Sequence, residues 1–370
     1  MKRLVFCFLL SALLLGCALS AVAAQDELSQ AAASAGEAFS SLLDDDTADT
    51  LESFGFSGFS SDGVFDLSWG GVRAFFAATL RESLRSQGRA CALALALLLL
   101  VACLRTLLQP ESENGAFDLL SLCAVTVQMA AMLHTYVSAA AALLQKAGGL
   151  MQGFVPVYAG LLAFSGHPGA ALGYQTLCFA LAQGISWFAA RLFVPLLGFF
   201  FCLGISFSLN DAIRTPAFLS AVNKASALGL GLASGVFAGV LTIRQVLSGA
   251  ADSASLRGAR FLVGSLVPVV GGAMSDAYSA VLCSIDLIKG SALVFLFAAL
   301  LALHLPVLLQ LLIGRVCCGA LASLSDMFGE SRFAALYQTF AAGVRLLLVF
   351  SVFECFLLLI STGLTLQLRQ

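Results

Sequence analysis

Successive apolar runs, each about long enough to cross the hydrocarbon core of a bilayer, constrain this chain more than any other feature. Windows of about 17–25 predominantly apolar residues read as transmembrane helices. They occur near 90–108, 117–144, 150–166, 171–190, 192–209, 225–247, 291–313 and 343–366, with a further, broken candidate at 261–285. Composition agrees: 60% of the residues are hydrophobic, 11% are charged and the mean hydropathy is +0.97, against roughly 45–50% apolar and 25% charged in soluble domains. The expected fold class is therefore all-α, a polytopic transmembrane helical bundle of about seven to nine spans over residues 90–366. Three details leave the count open: the run at 150–166 is short, Arg191 lies between two runs too close together for a loop, and 261–285 can re-enter without crossing.

The broken candidate is the most unusual of these segments. Residues 256–290 place Arg257, Arg260, Asp276, Asp286 and Lys289 around an apolar run interrupted by Pro268 and the Gly271-Gly272 pair. Every backbone polar group at membrane depth must be satisfied within the protein, so a Pro and two Gly there mark backbone that is buried in protein or lines a wet cavity. Pro268, Gly271, Gly272 and Asp276 are accordingly read as pathway or gating residues. Arg257 and Arg260 are read as interfacial anchors, and Asp286 with Lys289, at i and i+3, as a local ion pair.

The N-terminus is built differently. Lys2-Arg3, an apolar core from Leu4 to Leu15 and the small residues Ala21-Val22-Ala23 have the order of a cleavable signal peptide over residues 1–23. Leu14-Leu15-Gly16-Cys17 loosely resembles a lipoprotein site, although Leu15 is bulky for one. Residues 24–71 form an acidic, Ser/Gly/Ala-rich segment without Lys or Arg. It is expected to be exported and largely flexible, with Phe54, Phe56, Phe59, Phe65 and Trp69 as apolar handholds. Residues 72–89 put Phe75, Phe76 and Leu80 near one helical face and Arg73, Arg81, Arg85 and Arg89 elsewhere, the pattern of an in-plane amphipathic interfacial helix. A signal peptide exports this segment, whereas four Arg beside a span favour the cytoplasmic side; the signal is given precedence.

Within the apolar runs, Gly231, Gly235 and Gly239 align small residues along one helix face. Such a stripe lets helices approach closely, first within the bundle and second in a homo-oligomer. A short echo links Phe154-Val155-Pro156-Val157 with Leu266-Val267-Pro268-Val269, and Phe193-Val194-Pro195 repeats its core, the kind of paired interruption found in transporter repeats. Ionisable residues inside apolar runs are few, and each is a functional hypothesis because charge at the bilayer centre is costly. Glu354, in LLLVFSVFECFLLLIS, is the sharpest case, as a pathway residue or as the partner of a structural Arg such as Arg345. His134 and His304 have no second His or carboxylate at helical spacing and are read as packing residues.

Several function classes find no support. The net charge of −2 and the lack of a Lys/Arg cluster argue against a nucleic-acid partner. Eleven cysteines occur without zinc or redox spacing, so no metal and no cofactor is expected, and buried Cys are read as small hydrophobes. There is no P-loop, G-x-S-x-G or H-E-x-x-H pattern, which leaves no enzyme class to assign.

The order of signal peptide, polar exported segment, F-V-P-V-Y at 154–158, S-G-H-P at 165–168, S-L-R-G-A-R-F at 255–261 and P-V-V-G-G-A-M-S-D-A at 268–277 resembles the stage III sporulation protein AE family. The likeness covers roughly residues 90–366 and is strongest from Ala251 to Ala277. It implies a multi-pass protein of the mother-cell membrane facing the forespore in endospore-forming bacteria. There it would be part of a secretion-like or feeding channel, with the other stage III sporulation channel proteins and the lipid bilayer as partners. Two alternatives stand beside that expectation: a stand-alone secondary transporter of a small solute, and a structural membrane scaffold for partner proteins.

Overall fold

The computed structural model describes residues 45–53, 69–107, 115–164, 168–209 and 271–363, with single helical positions at 221, 224, 228, 231, 235 and 239. The signal peptide, Arg257, Arg260 and Pro268 lie outside these residues. Among the described residues there is no strand. In chain order the elements are α1 (Asp45–Ser53), α2 (Trp69–Leu107), α3 (Gly115–Phe164), α4 (Pro168–Phe188), a π-helical turn (Ala189–Phe193), α5 (Val194–Leu209), α6 (Gly271–Met327) and α7 (Ser331–Gly363).

The all-α reading holds, but adjacent apolar windows are joined rather than separated. The amphipathic stretch 72–89 and the span 90–108 form one helix, α2, and the windows 117–144 and 150–166 form one helix, α3, which passes through Pro156. The linking residues, Gln145-Lys146-Ala147-Gly148-Gly149, do not close a turn, and continuing the helix keeps each backbone group paired in an apolar setting. The windows at 171–190 and 192–209 are likewise joined. Phe188 and Val194, which flank the π turn, keep right-handed helical angles (φ −60°, ψ −46° and φ −64°, ψ −47°). Arg191 thus sits in a one-turn bulge, not in a loop. Gly271 and Gly272 open α6, which then runs without interruption to Met327.

Four described segments are long and apolar enough to cross a membrane: Gly70–Arg105, Leu119–Ala163, Ala292–Met327 and Ser331–Leu359. Among the described residues, then, the expected spans collapse into fewer, longer helices. With 57 residues, α6 is about 85 Å long at 1.5 Å per residue, well beyond the ~30 Å hydrocarbon core.

Contacts fix the helix directions. Arg105 pairs with Glu330 and Cys91 lies in hydrogen-bonding reach of Cys317, so α2 and α6 run parallel. Tyr158 meets Tyr174 edge-on at 5.2 Å, closing α3 and α4 into an antiparallel hairpin. Phe201 lies against Gly343 and Thr339 against Gly204, making α5 antiparallel to α7. The most extensive contact is between α6 and α7, antiparallel helices joined by a tight turn in which Gly329 takes φ +77°. Glycine suits this left-handed position after a helix end. There the amide of Gly329 donates to the Asp326 carbonyl and that of Glu330 to the Ser325 carbonyl.

The core is divided along the bundle into two clusters. The first gathers Ala147 to Leu162 of α3, Ala171 to Leu181 of α4, Ala292 to Ala302 of α6 and Leu357-Leu358 of α7. The second holds the buried apolar residues of α2 and the π turn, Leu122 to Ala140 of α3, Leu197 and Phe201 of α5, Leu311 to Ala322 of α6 and Phe333 to Phe350 of α7. From the acidic segment, α1 contributes Leu51, 1% exposed, to the first cluster, so this part of the segment is packed onto the bundle.

Candidate functional site

The α6–α7 hairpin carries a seven-residue register. On α7 the buried positions include Phe333, Phe340, Leu347 and Glu354, and on α6 they include His304, Leu311, Cys318 and Ser325. Each series advances by seven, two turns of a helix, so each forms a continuous seam. Counted from Gly329, Ser325 and Phe333, Cys318 and Phe340, Leu311 and Leu347, and His304 and Glu354 stand at equal separations along the two antiparallel helices; Cys318 also comes near Tyr337, and Phe340 lies against Phe201 of α5. His304 and Glu354 each lie twenty-five residues from Gly329.

Most buried polar groups in this bundle are satisfied locally. Ser325 Oγ donates to the Leu321 carbonyl at 2.8 Å and Thr339 Oγ1 to the Ala335 carbonyl at 2.9 Å. The Tyr136 hydroxyl donates to Gln87 Oε1 at 2.6 Å, and the Glu330 carboxylate accepts from Arg105. Four buried side-chain atoms have no hydrogen-bond partner among the described residues, the hydroxyls of Tyr174 and Tyr337, His304 Nε2 and Glu354 Oε2, and of these the imidazole and the carboxyl are the groups that ionise nearest neutral pH. His304 is 1% exposed and Glu354 2%. Leaving a buried polar atom unpaired costs free energy, more so for an ionisable group, so such atoms call for an explanation.

The same level of the bundle is where the two core clusters meet. On α6 the first cluster ends at Leu303 and the second begins at Val307; on α7 the second ends at Phe350 and the first resumes at Phe353. The π turn falls here too, because Phe188 and Phe193 flank Phe350 at ring distances of 5.9 and 4.4 Å. Lys146 of α3 reaches this level as well, ten residues beyond Tyr136, which touches Gly314 ten residues beyond His304. Lys146 and Arg191 are both exposed, so the layer has cationic groups outside and an imidazole and a carboxyl inside. π-helical turns inside α-helices frequently mark functional sites.

Of the residues singled out by sequence, Glu354 therefore occupies a buried seam, and Arg345, two to three turns away, is exposed. Gly271, Gly272 and Asp276 lie in the first turns of α6, far along that helix from His304. Gly231, Gly235 and Gly239 are helical and exposed, and a Cβ added at any of them meets nothing within 4 Å among the described residues. Close packing through glycine is found elsewhere: a Cβ on Gly204, Gly314 or Gly343 would come within 2.1–2.3 Å of Thr339, Tyr136 or Phe201. The three Pro-containing echoes fall on unlike elements, since Pro156 is inside α3, Pro195 follows the π turn and Pro268 is outside the described residues. His304 was not distinguished by its sequence context. The available signal was its spacing from Glu354 about a Gly-containing turn, visible only once Phe328-Gly329-Glu330 is known to reverse the chain. Among the described residues no three His, Cys, Asp or Glu side chains gather as metal ligands.

No curated protein and no solved structure matches the chain. The family described as stage III sporulation protein AE matches residues 61–367, which include every helix from α2 to α7. With a helical bundle able to cross a membrane and that match over most of its length, the chain belongs to the stage III sporulation protein AE family.

Proposed function

We propose that this protein is a non-enzymatic, permease-like core subunit of the channel between mother cell and forespore, residing as a multi-pass protein in the mother-cell membrane and acting with other stage III sporulation proteins. The observation that carries this reading is Glu354, a carboxyl group buried on the inner seam of the principal hairpin with an oxygen lacking a partner. Intramembrane carboxyls are expensive and typically mark a pathway. Its companion is the Pro268 to Gly272 interruption, with Asp276 in the following turns, which we assign to the moving or gating end of α6. Arg257 and Arg260 anchor that end at the interface. The open Gly231, Gly235 and Gly239 face suits contact with another helix, from a second copy or from a partner subunit.

Two substitutions test this. Gly271→Leu with Gly272→Leu is expected to abolish formation of heat-resistant spores while the protein still inserts, because side chains fill a site of close backbone approach. Normal spore counts in that variant would remove the gating role. Glu354→Gln keeps shape and removes charge, and is expected to lower spore counts with membrane levels unchanged. A stand-alone transporter is distinguished by solute flux after reconstitution alone, whereas a channel subunit co-purifies with its partners and needs them.

A further inference from the structure

We propose that His304 and Glu354 form one proton-binding site, a histidine–carboxyl pair that holds a single proton between α6 and α7. Three observations support the pairing: their equal separation from Gly329 on antiparallel helices, their near-complete burial, and the atom of each that has no hydrogen-bond partner among the described residues. The location adds a fourth, because the apolar core is interrupted at this layer on both helices. Packed helices lie about 8–10 Å apart between axes, a gap that an imidazole and a carboxyl reaching inward from the same layer can close by rotation or through one water.

The geometry also fixes the roles of the ring nitrogens. His304 Nδ1 lies 2.8 Å from the Leu300 carbonyl oxygen, which can only accept, so Nδ1 carries a hydrogen. Nε2 of the neutral ring is then a lone-pair acceptor aimed away from its own helix turn. A protonated Glu354 Oε2 donates to it. If the O–H bond breaks and an Nε2–H bond forms, the pair becomes imidazolium and carboxylate. Net charge is zero in both forms, so one proton is retained at no cost in buried net charge, and releasing it to water leaves one negative charge. Other titratable groups near this layer do not compete for the role. Lys146 of α3 and Arg191 of the π turn are exposed. Tyr158 of α3 and Tyr174 and Cys178 of α4 belong to the first cluster, and Cys355 neighbours Glu354 on α7. The described part of α5 presents Cys202, which is exposed.

This inference deepens the pathway role given to Glu354 and rests on it, so its test is kept separate from sporulation. The full-length protein in detergent is treated with dicyclohexylcarbodiimide, which modifies protonated carboxyls in apolar surroundings, and labelling of the Glu354 peptide is followed by mass spectrometry against pH. Glu354 is expected to be labelled, and His304→Leu to move the labelling midpoint by about one pH unit or more, since one unit corresponds to 1.36 kcal/mol of interaction. His304→Gln, which preserves polarity, serves if the Leu variant loses its melting transition, and the same shift is expected. An unchanged midpoint in a folded His304 variant overturns the pairing. Absence of labelling at every pH, or protection by sodium ions in place of raised pH, overturns the proton site. A shifted midpoint together with normal sporulation of Glu354→Gln leaves the site standing and removes only its pathway role.

Discussion

Gly343 shows how residue size sets the contact between α5 and α7. A Cβ there would lie 2.1 Å from the tip of the Phe201 ring, so Gly343→Ala is expected to cost about 1–3 kcal/mol, the usual range for overpacking. Thermal unfolding in detergent reads that loss. Pairing the change with Phe201→Leu should recover most of it, because contacting sites are coupled and their effects are not additive. His304 and Glu354 give the opposite signature. Replacing both members of the buried pair, His304→Leu with Glu354→Leu, removes their desolvation cost without orphaning either, and apolar replacements of buried pairs are often neutral or stabilising by about 1–4 kcal/mol. The double variant should therefore melt at or above the wild-type temperature while spore formation falls, the trade-off expected of working residues. A lower melting temperature would mean that the pair holds the bundle together instead.

At the scale of elements, the sequence showed which stretches are apolar and helical but not where one helix stops. Hydropathy windows mark apolar length, and the residues between two windows decide whether a turn intervenes. Gln145 to Gly149 and Arg191 were not enough to break their helices, while Phe328-Gly329-Glu330, which does reverse the chain, lies midway between the windows at 291–313 and 343–366, where the apolar pattern marks no turn position. Glu354 was legible because a carboxylate in an apolar run is conspicuous by itself. The relation of His304 to it was not, since alignment across a hairpin depends on the turn position, and one residue of error rotates a helix by about 100°. The parallel alignment of α2 and α6 makes a direct prediction. Cys91 and Cys317 are in hydrogen-bonding reach, so mild oxidation of the membrane-bound protein should cross-link them. Peptide mapping would locate the bond between these two sites and show its loss in Cys91→Ser. Cross-linking of Cys103 to Cys317 in its place would require a different register of the two helices.

For the whole molecule, helix direction determines which ends share a side. The turn at Gly329, the Arg105–Glu330 pair and the C-terminal ends of α2 and α6 gather at one end of the bundle, and the C-terminal end of α3 and the N-terminal end of α4, at Phe164 and Pro168, lie at the other. These helices exceed a bilayer in length, so both ends reach water on opposite sides. In a cysteine-free protein, single cysteines replacing Leu107 and Met327, which are 72% and 81% exposed, should react with an impermeant maleimide from the same side. A cysteine replacing Pro168 should react from the opposite side. The positive-inside tendency does not decide between the two orientations, because Arg residues flank both ends of α2, so the labelled side also resolves the conflict between the signal peptide and Arg73, Arg81, Arg85 and Arg89. Labelling of Leu107→Cys and Met327→Cys from different sides would break the parallel pairing of α2 and α6.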